Sequence, residues 1–186
     1  MEPDFIRAIL EASDEATLRG ILREVCGIAG GMGFAALACV SKSHWLTCQV
    51  LDRMDFGLNP GDELKLQTTI CNDTVQFGRA IVIDDVDADP DWERHPVVLM
   101  HGFKSCASFP VVLDDGHLFG TLCTIDMERR PLSSAESMDR LRVLADRAGQ
   151  ILSRRLAPEL RRKLPPAPAN DTGADGARQD QPDRCG

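Results

Sequence analysis

Apolar side chains recur every three or four residues near both ends of the chain. The first such stretch spans residues 5–31, with apolar positions Ile6, Ile9, Leu10, Leu18, Ile21, Leu22, Val25, Ile28 and Ala29. This spacing predicts helices. Ser13, followed by Asp14 and Glu15, is a candidate N-cap that restarts the helix after a break. We therefore expect a short helix, a kink near Ser13 and a longer amphipathic helix that ends at Gly30.

The second helical stretch begins at Ser133, where the sequence S-S-A-E matches a capping box. Its apolar stripe consists of Met138, Leu141, Leu144, Ala145, Ala148, Ile151, Leu152 and Leu156. The stripe extends over about six helical turns, which is more than one small sheet needs to cover. We therefore expect part of it to pack against another chain. The predicted homodimer forms through this helix and the one that ends near Gly31.

Short apolar runs between the two helical regions predict β-strands. Residues 33–40 and 44–51 are joined by the polar sequence S-K-S and form a candidate hairpin, and residues 80–83 form a short strand. A second hairpin is predicted over residues 104–113 and 117–125, because the Asp-Asp-Gly sequence between them is a strong turn signal. This second hairpin is the clearest local prediction.

The segments that connect these strands contain short helices. Residues 52–66 carry glycines, a proline and several charges, which favour a loop. A short helix over residues 69–78 is expected to end at Gly78, and residues 95–101 allow another helical turn or two. From Ala157 the composition shifts to proline, glycine and polar residues. We predict one folded domain over residues 1–156 and a disordered tail over residues 157–186.

Composition and charge limit the possible partners. The chain has 186 residues with a net charge of −8, from 29 acidic and 21 basic side chains. We do not expect such a chain to bind a nucleic acid, because nucleic-acid phosphates are bound by clustered Lys and Arg. The sequence has no apolar run long enough for a membrane span, and it opens MEPDFIRAIL, without the basic start of a signal peptide. We expect a cytoplasmic protein that binds neither nucleic acid nor membrane.

The seven cysteines do not follow a spacing that is typical of disulfide frameworks or zinc sites. They are Cys26, Cys39, Cys48, Cys71, Cys106, Cys123 and Cys185. We interpret them as reduced, small apolar residues of the core. An acidic run over residues 84–93 suggests calcium, but Pro90 and Pro96 stand where an EF-hand loop needs Gly and Glu. No metal site is predicted.

Two segments resemble those of a known domain family. They are TTICNDTVQFGRAIVIDDVDADPDWERHP and HGFKSCASFPVVLDDGHLFGTLCTID, and the second contains the more specific hairpin motif. Both are similar to the GAF domains at the front of bacterial sensor histidine kinases and diguanylate cyclases. The resemblance covers residues 5–156. His101 and Cys106 stand where that subfamily usually has tyrosines, and the sequence has no recognisable output module.

The resemblance implies an α+β, GAF-like fold. A central antiparallel sheet of five or six strands would carry the terminal helices on one face and a ligand-pocket lid on the other. The expected pocket lining, chosen from the resemblance and from apolar character, is Ile70, Cys71, Val75, Trp92, Met100, Phe103, Cys106 and Ser108. GAF domains bind cyclic nucleotides, tetrapyrroles, haem or other small molecules, so the fold alone identifies no ligand or cofactor.

The resemblance leaves three functions open. The first is a small-molecule sensor or regulator in signal transduction that acts through a partner protein or its own dimer. The second is a thiol-dependent enzyme of the free methionine-(R)-sulfoxide reductase type, using Cys71 and Cys106, although the H-I-A-C-D signature of those enzymes is absent. The third is a ligand-free dimerisation module. A covalently bound bilin is disfavoured, because no cysteine is followed by His. Haem lacks a clear axial ligand among His95, His101 and His117.

Overall fold

The computed structural model describes residues 1–168, which form seven α-helices and six β-strands. The helices are α1 (Pro3–Ser13), α2 (Ala16–Val25), α3 (Cys71–Phe77), α4 (Pro90–Glu93), α5 (Pro96–His101), α6 (Ala135–Arg155) and α7 (Pro158–Arg161). The strands are β1 (Phe34–Ser41), β2 (His44–Asp52), β3 (Glu63–Lys65), β4 (Ile81–Ile83), β5 (Ser105–Val112) and β6 (Leu118–Asp126). None of the helices in this range is both long and apolar enough to cross a membrane.

The strands form one sheet in the order β3-β2-β1-β6-β5-β4. All the neighbouring strands are antiparallel. Strands β1 and β6 lie at the centre, although more than 75 residues separate them in the sequence, and Ala36 lies opposite Cys123. The predicted α+β fold with a central antiparallel sheet of five or six strands is therefore confirmed.

Helices α1, α2 and α6 cover one face of the sheet. Alternate side chains of β1, among them Leu37 and Cys39, point toward them, and Phe119 of β6 is fully buried there. The helices contribute Ile9, Leu22 and further apolar residues to the same cluster. This cluster is the largest core of the molecule, and its burial supplies most of the hydrophobic stabilisation.

The apolar stripe of α6 is covered within the chain itself. Leu141, Leu144 and Leu152 are buried against the sheet and the first two helices. On the outer side of α6, Val143 is a large apolar side chain that is exposed. The length of the stripe therefore gives no reason to expect a second chain, because β5, β6, α1 and α2 bury it. The homodimer stays a prediction.

Two helix caps differ from those predicted. Glu15 caps α2, since its carboxylate accepts hydrogen bonds from Thr17 and Leu18, while the Ser13 hydroxyl donates back to the carbonyl of Ile9. At the start of α6 the cap is Ser134, whose hydroxyl accepts from the backbone N–H of Ser137. A side chain one or two residues away can thus replace a candidate cap when that candidate has another partner.

Two predicted boundaries also change. The predicted loop over residues 52–66 contains the edge strand β3, which pairs with β2. Beyond residue 156, α7 follows and Leu164 is buried in the main core. The backbone N–H of Leu118 donates to the carbonyl of Pro165 at 2.8 Å. The folded part therefore extends into residues 157–168 of the predicted disordered tail, and residues 169–186 lie outside the described residues.

Candidate functional site

The second face of the sheet is covered by short elements instead of long helices. The loop after β2, the short helices α3 and α5 and the turn between β3 and α3 lie over it. Alternate residues of β1 on this face are Phe34, Ala36, Ala38 and Val40. The two alanines have small side chains. The arrangement matches the predicted division of the sheet into a helix-covered face and a face under a lid.

A cavity of about 50 Å³ lies between this face and its cover. It is lined by Phe34, Trp45, Phe56, Leu58, Leu64, Thr68, Thr69, Ile70, Cys71, Val97, His101, Cys106, Ala107, Ser108, Cys123, Thr124 and Ile125. Its surface is almost entirely apolar. One water molecule needs roughly 10–15 Å³ of such space, so the cavity admits a ligand of only a few heavy atoms.

Aromatic contacts close the cavity on the side of the loop after β2. The ring of Phe56 packs between Phe34, at 5.1 Å between centroids, and His101, at 4.8 Å. Burial lowers the pKa of His101, so the imidazole is neutral near pH 7 and suits the apolar wall. Phe56 belongs to a loop and His101 to α5. Access to the cavity therefore depends on contacts between two separate lid segments.

Helix α5 is positioned by its capping residues. His95 Nδ1 accepts a hydrogen bond from the backbone N–H of Val97 at 3.3 Å, and the His95 ring packs against Trp92 at 4.9 Å between centroids. On its other side, His95 Nε2 lies 4.0 Å from the Asp73 carboxylate of α3. Gly102 ends the helix with a φ of 69°, a left-handed conformation that glycine adopts readily. These contacts hold Val97 and His101 over the cavity.

Three cysteines and several hydroxyl or indole donors meet at the floor of the cavity. Ser108 Oγ donates a hydrogen bond to Cys71 Sγ at 3.6 Å. Nearby, Trp45 Nε1 donates a hydrogen bond to Thr121 Oγ1 at 3.4 Å. Cys71 and Cys123 pack in one buried apolar cluster, and both line the cavity. Buried polar groups and cysteines therefore lie side by side at this floor.

These contacts give the thiols different acidities. The hydrogen bond from Cys123, helped by those from Thr121, Ser108 and Trp45, outweighs burial and lowers the pKa of Cys71 to about 7. The same bond to Cys71, together with burial, raises the pKa of Cys123 well above its usual range. Burial, with a smaller effect of Cys71, also raises the pKa of Cys106. Near neutral pH, Cys71 is therefore the thiol that ionises.

The strand register explains the position of this cluster. Cys106 and Ser108 are two residues apart on β5 and point to the same face, and Ser108 lies directly opposite Cys123 on β6. Cys71 is the first residue of α3, which packs above these strands. The cysteines on the helix-covered face, Cys39 and Cys48, have pKa values raised by burial. No three potential ligands within residues 1–168 are placed to hold a metal ion.

Four of the eight residues predicted to line a pocket lie on the cavity wall. They are Ile70, Cys71, Cys106 and Ser108. The other four do not line the cavity. Val75 and Trp92 are partly buried, each against a different apolar cluster under the lid, and Phe103 is fully buried in the cluster that Trp92 contacts. Met100 is 66% exposed. Its position follows from helical geometry, because Val97 and His101 point inward, one turn apart, and Met100 between them points outward.

Several lining residues were not identified from the sequence. Phe34 and Cys123 belong to strands whose alternation could have indicated this face, once the facing direction was known. Trp45, a lone large aromatic residue within an apolar run, gave a similar signal. Phe56 gave none, because it lies in a loop between polar and glycine residues. Only the folded chain brings Phe56 against His101.

Comparison with known proteins identifies the fold family. The GAF domain family matches residues 11–153 of the sequence. The chain belongs to the GAF domain family. The match includes both resembling segments and all six strands, so the family resemblance is confirmed. A comparison with curated proteins found no match.

Several solved structures share the fold. Type II free methionine-R-sulfoxide reductase from Thermoplasma acidophilum is similar with a TM-score of 0.60 and 12% identity, covering 80% of this chain and 98% of that chain. The GAF domain of Acinetobacter phosphoenolpyruvate-protein phosphotransferase has a TM-score of 0.57 and 14% identity, and the match covers 81% of this chain and 92% of that chain. The PixJ GAF domain of Thermosynechococcus elongatus, in its blue-light absorbing form, has a TM-score of 0.59 and 12% identity, and the match covers 83% of this chain and 90% of that chain. At these identities the likeness shows the fold alone.

Proposed function

We propose that this GAF domain is a sensory or regulatory domain that binds a small molecule in the cavity beneath its lid. It acts in cytoplasmic signal transduction, through a partner protein or its own dimer. The observation that supports this proposal is the apolar cavity between the lid-covered face of the sheet and the short helices. The opposite face is occupied by long helices, so a ligand on one side lies within one sheet thickness of elements that can contact a partner.

The wall of the cavity indicates the chemistry of the ligand. Most lining side chains are apolar, while Thr69 and Ser108 offer hydroxyl groups and Cys71 offers a polarised sulfur. A compact, weakly polar molecule of a few heavy atoms fits this surface and volume. A larger ligand requires the contact between Phe56 and His101 to open, which would separate the two lid segments.

The central strands can couple the cavity to the helices. Phe34 and Cys123 line the cavity, whereas Leu37 and Phe119 of the same two strands pack against the helices. A ligand that favours one packing of the lid also favours one position of these strands. We expect the resulting shift to reach α6, whose outer face carries the exposed Val143.

The proposal is tested by ligand binding to the intact chain. A panel of molecules with up to about eight heavy atoms is screened for an increase in the melting temperature. Ser108→Leu fills the cavity and should abolish the increase, whereas Val112→Leu, on the same strand but outside the cavity, should retain it. Circular dichroism establishes that both variants fold. A panel without any stabilising compound, or an unchanged response in a folded Ser108→Leu variant, would contradict the proposal.

A second candidate function is the thiol-dependent reduction of a small sulfoxide by Cys71 and Cys106. The lowered pKa of Cys71 favours it. Cys106 is a poor partner, since it packs in a different apolar cluster from Cys71 and is only 1% exposed. Turnover of free methionine-(R)-sulfoxide with a dithiol reductant, lost in Cys106→Ser, would support the enzyme. No turnover by the wild-type chain at micromolar concentration would exclude it.

A further inference from the structure

We propose that Cys71 and Cys123 form a redox-active dithiol, which hydrogen peroxide converts to a disulfide inside the cavity. This inference goes beyond the proposed function, because it requires neither a non-covalent ligand nor catalytic turnover. It concerns a modification site on the chain itself. This pair differs from the pair of Cys71 and Cys106 that the sequence suggested, because Cys123 takes the place of Cys106.

The first argument is the placement of the two sulfur atoms. Cys71 opens α3 and Cys123 lies in the central strand β6, and the two side chains pack in the same buried apolar cluster. Both side chains line the cavity, with residue exposures of 4% and 8%. Ser108, whose hydroxyl donates to Cys71 Sγ at 3.6 Å, lies directly opposite Cys123 in the β5–β6 pairing, so both cysteines lie beside the same residue. In the structure both cysteines are free.

The second argument is the surplus of hydrogen-bond donors around Cys71. The hydroxyl of Ser108 donates to its sulfur at 3.6 Å, and hydrogen bonding from Thr121 and Trp45 also lowers the pKa of Cys71; all three side chains are buried. A neutral thiol is a weak acceptor, whereas a thiolate accepts several hydrogen bonds. The donors are therefore best satisfied when Cys71 is ionised. The cavity wall formed by the described residues includes no Lys or Arg, so these neutral dipoles stabilise the charge.

The third argument concerns which oxidants are small enough to reach Cys71. Hydrogen peroxide has two heavy atoms, and a cavity of about 50 Å³ has room for it. A bulky oxidant such as oxidised glutathione is excluded while Phe56 remains in contact with His101. The dithiol should therefore respond to peroxide and not to glutathione disulfide. This selectivity separates the proposed site from an exposed cysteine, which would react with both.

The reaction proceeds in two balanced steps. The thiolate of Cys71 attacks one oxygen of the peroxide, the O–O bond breaks, and the leaving hydroxide takes a proton to become water. The product is the sulfenic acid of Cys71. The sulfur of Cys123 then attacks the sulfenic sulfur, the S–O bond breaks, and the departing hydroxide leaves with the Cys123 proton as a second water. Both cysteines are oxidised, the peroxide is reduced, and a dithiol reductant restores the starting state.

The packing around Cys71 favours Cys123 over Cys106 as the residue that forms the disulfide with it. Cys123 packs in the same apolar cluster as Cys71, whereas Cys106 belongs to the neighbouring cluster that contains Phe103. Cys106 is also less exposed, at 1%, and lies opposite Ile125, further along β6. We expect the disulfide between Cys71 and Cys106 to be absent from the products.

Peptide mapping of the oxidised full-length chain tests the proposal. The protein carries Cys185→Ser, is treated with increasing peroxide, and is then alkylated under denaturing conditions. Trypsin places Cys106 and Cys123 in one peptide between Lys104 and Arg129, so a second cleavage at Asp114 or Asp115 separates them. The expected product links Cys71 to Cys123. Cys39 and Cys48, buried on the other face, should oxidise at least about tenfold more slowly and serve as internal controls.

Variants identify the order of the steps. In Cys123→Ser, dimedone added together with the denaturant should trap the sulfenic acid at Cys71, and Cys39→Ser should oxidise like the parent. Oxidation of Cys39 or Cys48 at the rate of Cys71, a Cys71–Cys106 link as the main product, or equal oxidation by glutathione disulfide would each overturn the proposal. If a variant fails to fold, the peptide map of the parent still decides the outcome.

Discussion

At the scale of single residues, one sulfur atom differs from the others in the described chain. Hydrogen bonds from Cys123, Thr121, Ser108 and Trp45 lower the pKa of Cys71, while burial raises the pKa of the other cysteines for which a shift is resolved. A cysteine's reactivity depends on its local donors, and the residue type alone does not reveal it. These donors come from β2, β5 and β6.

We expect the peroxide reaction of Cys71 to depend on pH. Its pKa of about 7 means that the thiolate fraction, and with it the rate, rises about tenfold between pH 6 and pH 8 and then levels off. The measurement is the loss of unmodified Cys71 over time, followed by mass spectrometry at each pH. Ser108→Ala removes one donor and should move the midpoint upward. A rate that keeps rising beyond pH 9 in the wild type would show that the thiol has an ordinary pKa.

Between elements, α6 and β5 approach each other closely at one point. Gly149 of α6 faces the backbone carbonyl of Val112, and a Cβ atom at position 149 would overlap the oxygen. Close by, the hydroxyl of Ser153 donates to the carbonyl of Gly149 and accepts from the backbone N–H of Asp114. A small residue and a buried hydroxyl thus fix the distance between helix and sheet.

Gly149→Ala should therefore reduce stability, although alanine favours helix formation. The added methyl group forces α6 away from β5, and we expect a loss of about 2 kcal/mol in the free energy of unfolding. Gly20→Ala in α2 is the matched control, because no atom lies within 4 Å of its added Cβ. That variant should gain up to about 1 kcal/mol from helix propensity. Urea denaturation of both variants gives the comparison, and a stabilised Gly149→Ala would refute the close approach.

The hydroxyl of Ser153 allows a second test of the same contact. Ser153→Ala leaves the N–H of Asp114 without its side-chain partner, and we expect a cost of about 1–2 kcal/mol. The turn after β5 should also lose protection from amide hydrogen exchange at residue 114. Ser133→Ala, which removes an exposed hydroxyl that is hydrogen-bonded to Asp84 and not to the turn after β5, serves as a control for the substitution type and should leave exchange at residue 114 unchanged. Equal exchange in the two variants would count against the contact.

At the scale of the whole molecule, the two faces of the sheet serve different purposes. Long helices bury a continuous core on one face, while short helices and loops leave a cavity on the other. Cysteines occur on both faces, with Cys39 and Cys48 under the helices and Cys106 and Cys123 under the lid. Their burial links the stability of the entire fold to pH.

We expect the folded state to lose stability above about pH 9. Burial raises the pKa of Cys26, Cys39, Cys48 and Cys106 above the ordinary value of 9.0. The unfolded chain then releases these protons first, so the free energy of unfolding falls by up to about 1.4 kcal/mol per pH unit for each thiol. The effect of Cys71 is opposite. Because its pKa is lowered, its ionisation raises the free energy of unfolding as the pH increases from about 7 to about 9.

Urea denaturation at pH 8, 9 and 10 under a reducing agent measures this effect. Cys39→Ala removes one of the raised thiols, so its stability should fall less steeply above pH 9, whatever its stability at pH 8. Equal slopes for the two proteins would show that the thiol at position 39 does not contribute.

Local patterns along the chain were enough to predict the order and type of most elements. Helical periodicity predicted α2 and α6, and the Asp-Asp-Gly turn predicted the β5–β6 hairpin, because local spacing reflects which side of an element is buried. These patterns did not predict β3, since a strand of three residues at the sheet edge has too short a pattern and forms only by pairing with β2.

Tertiary structure decided which residues form the site. The family resemblance and apolar character suggested Val75, Trp92, Met100 and Phe103, but the rotation of α5 turns Met100 outward, and the packing of the lid places the other three outside the cavity wall. Pairing of β1 with β6 and closure of the loop after β2 brought in Phe34, Phe56 and Cys123 instead. The physical reason is that a cavity wall depends on contacts between residues distant in sequence, whereas periodicity records only which side of each element faces inward.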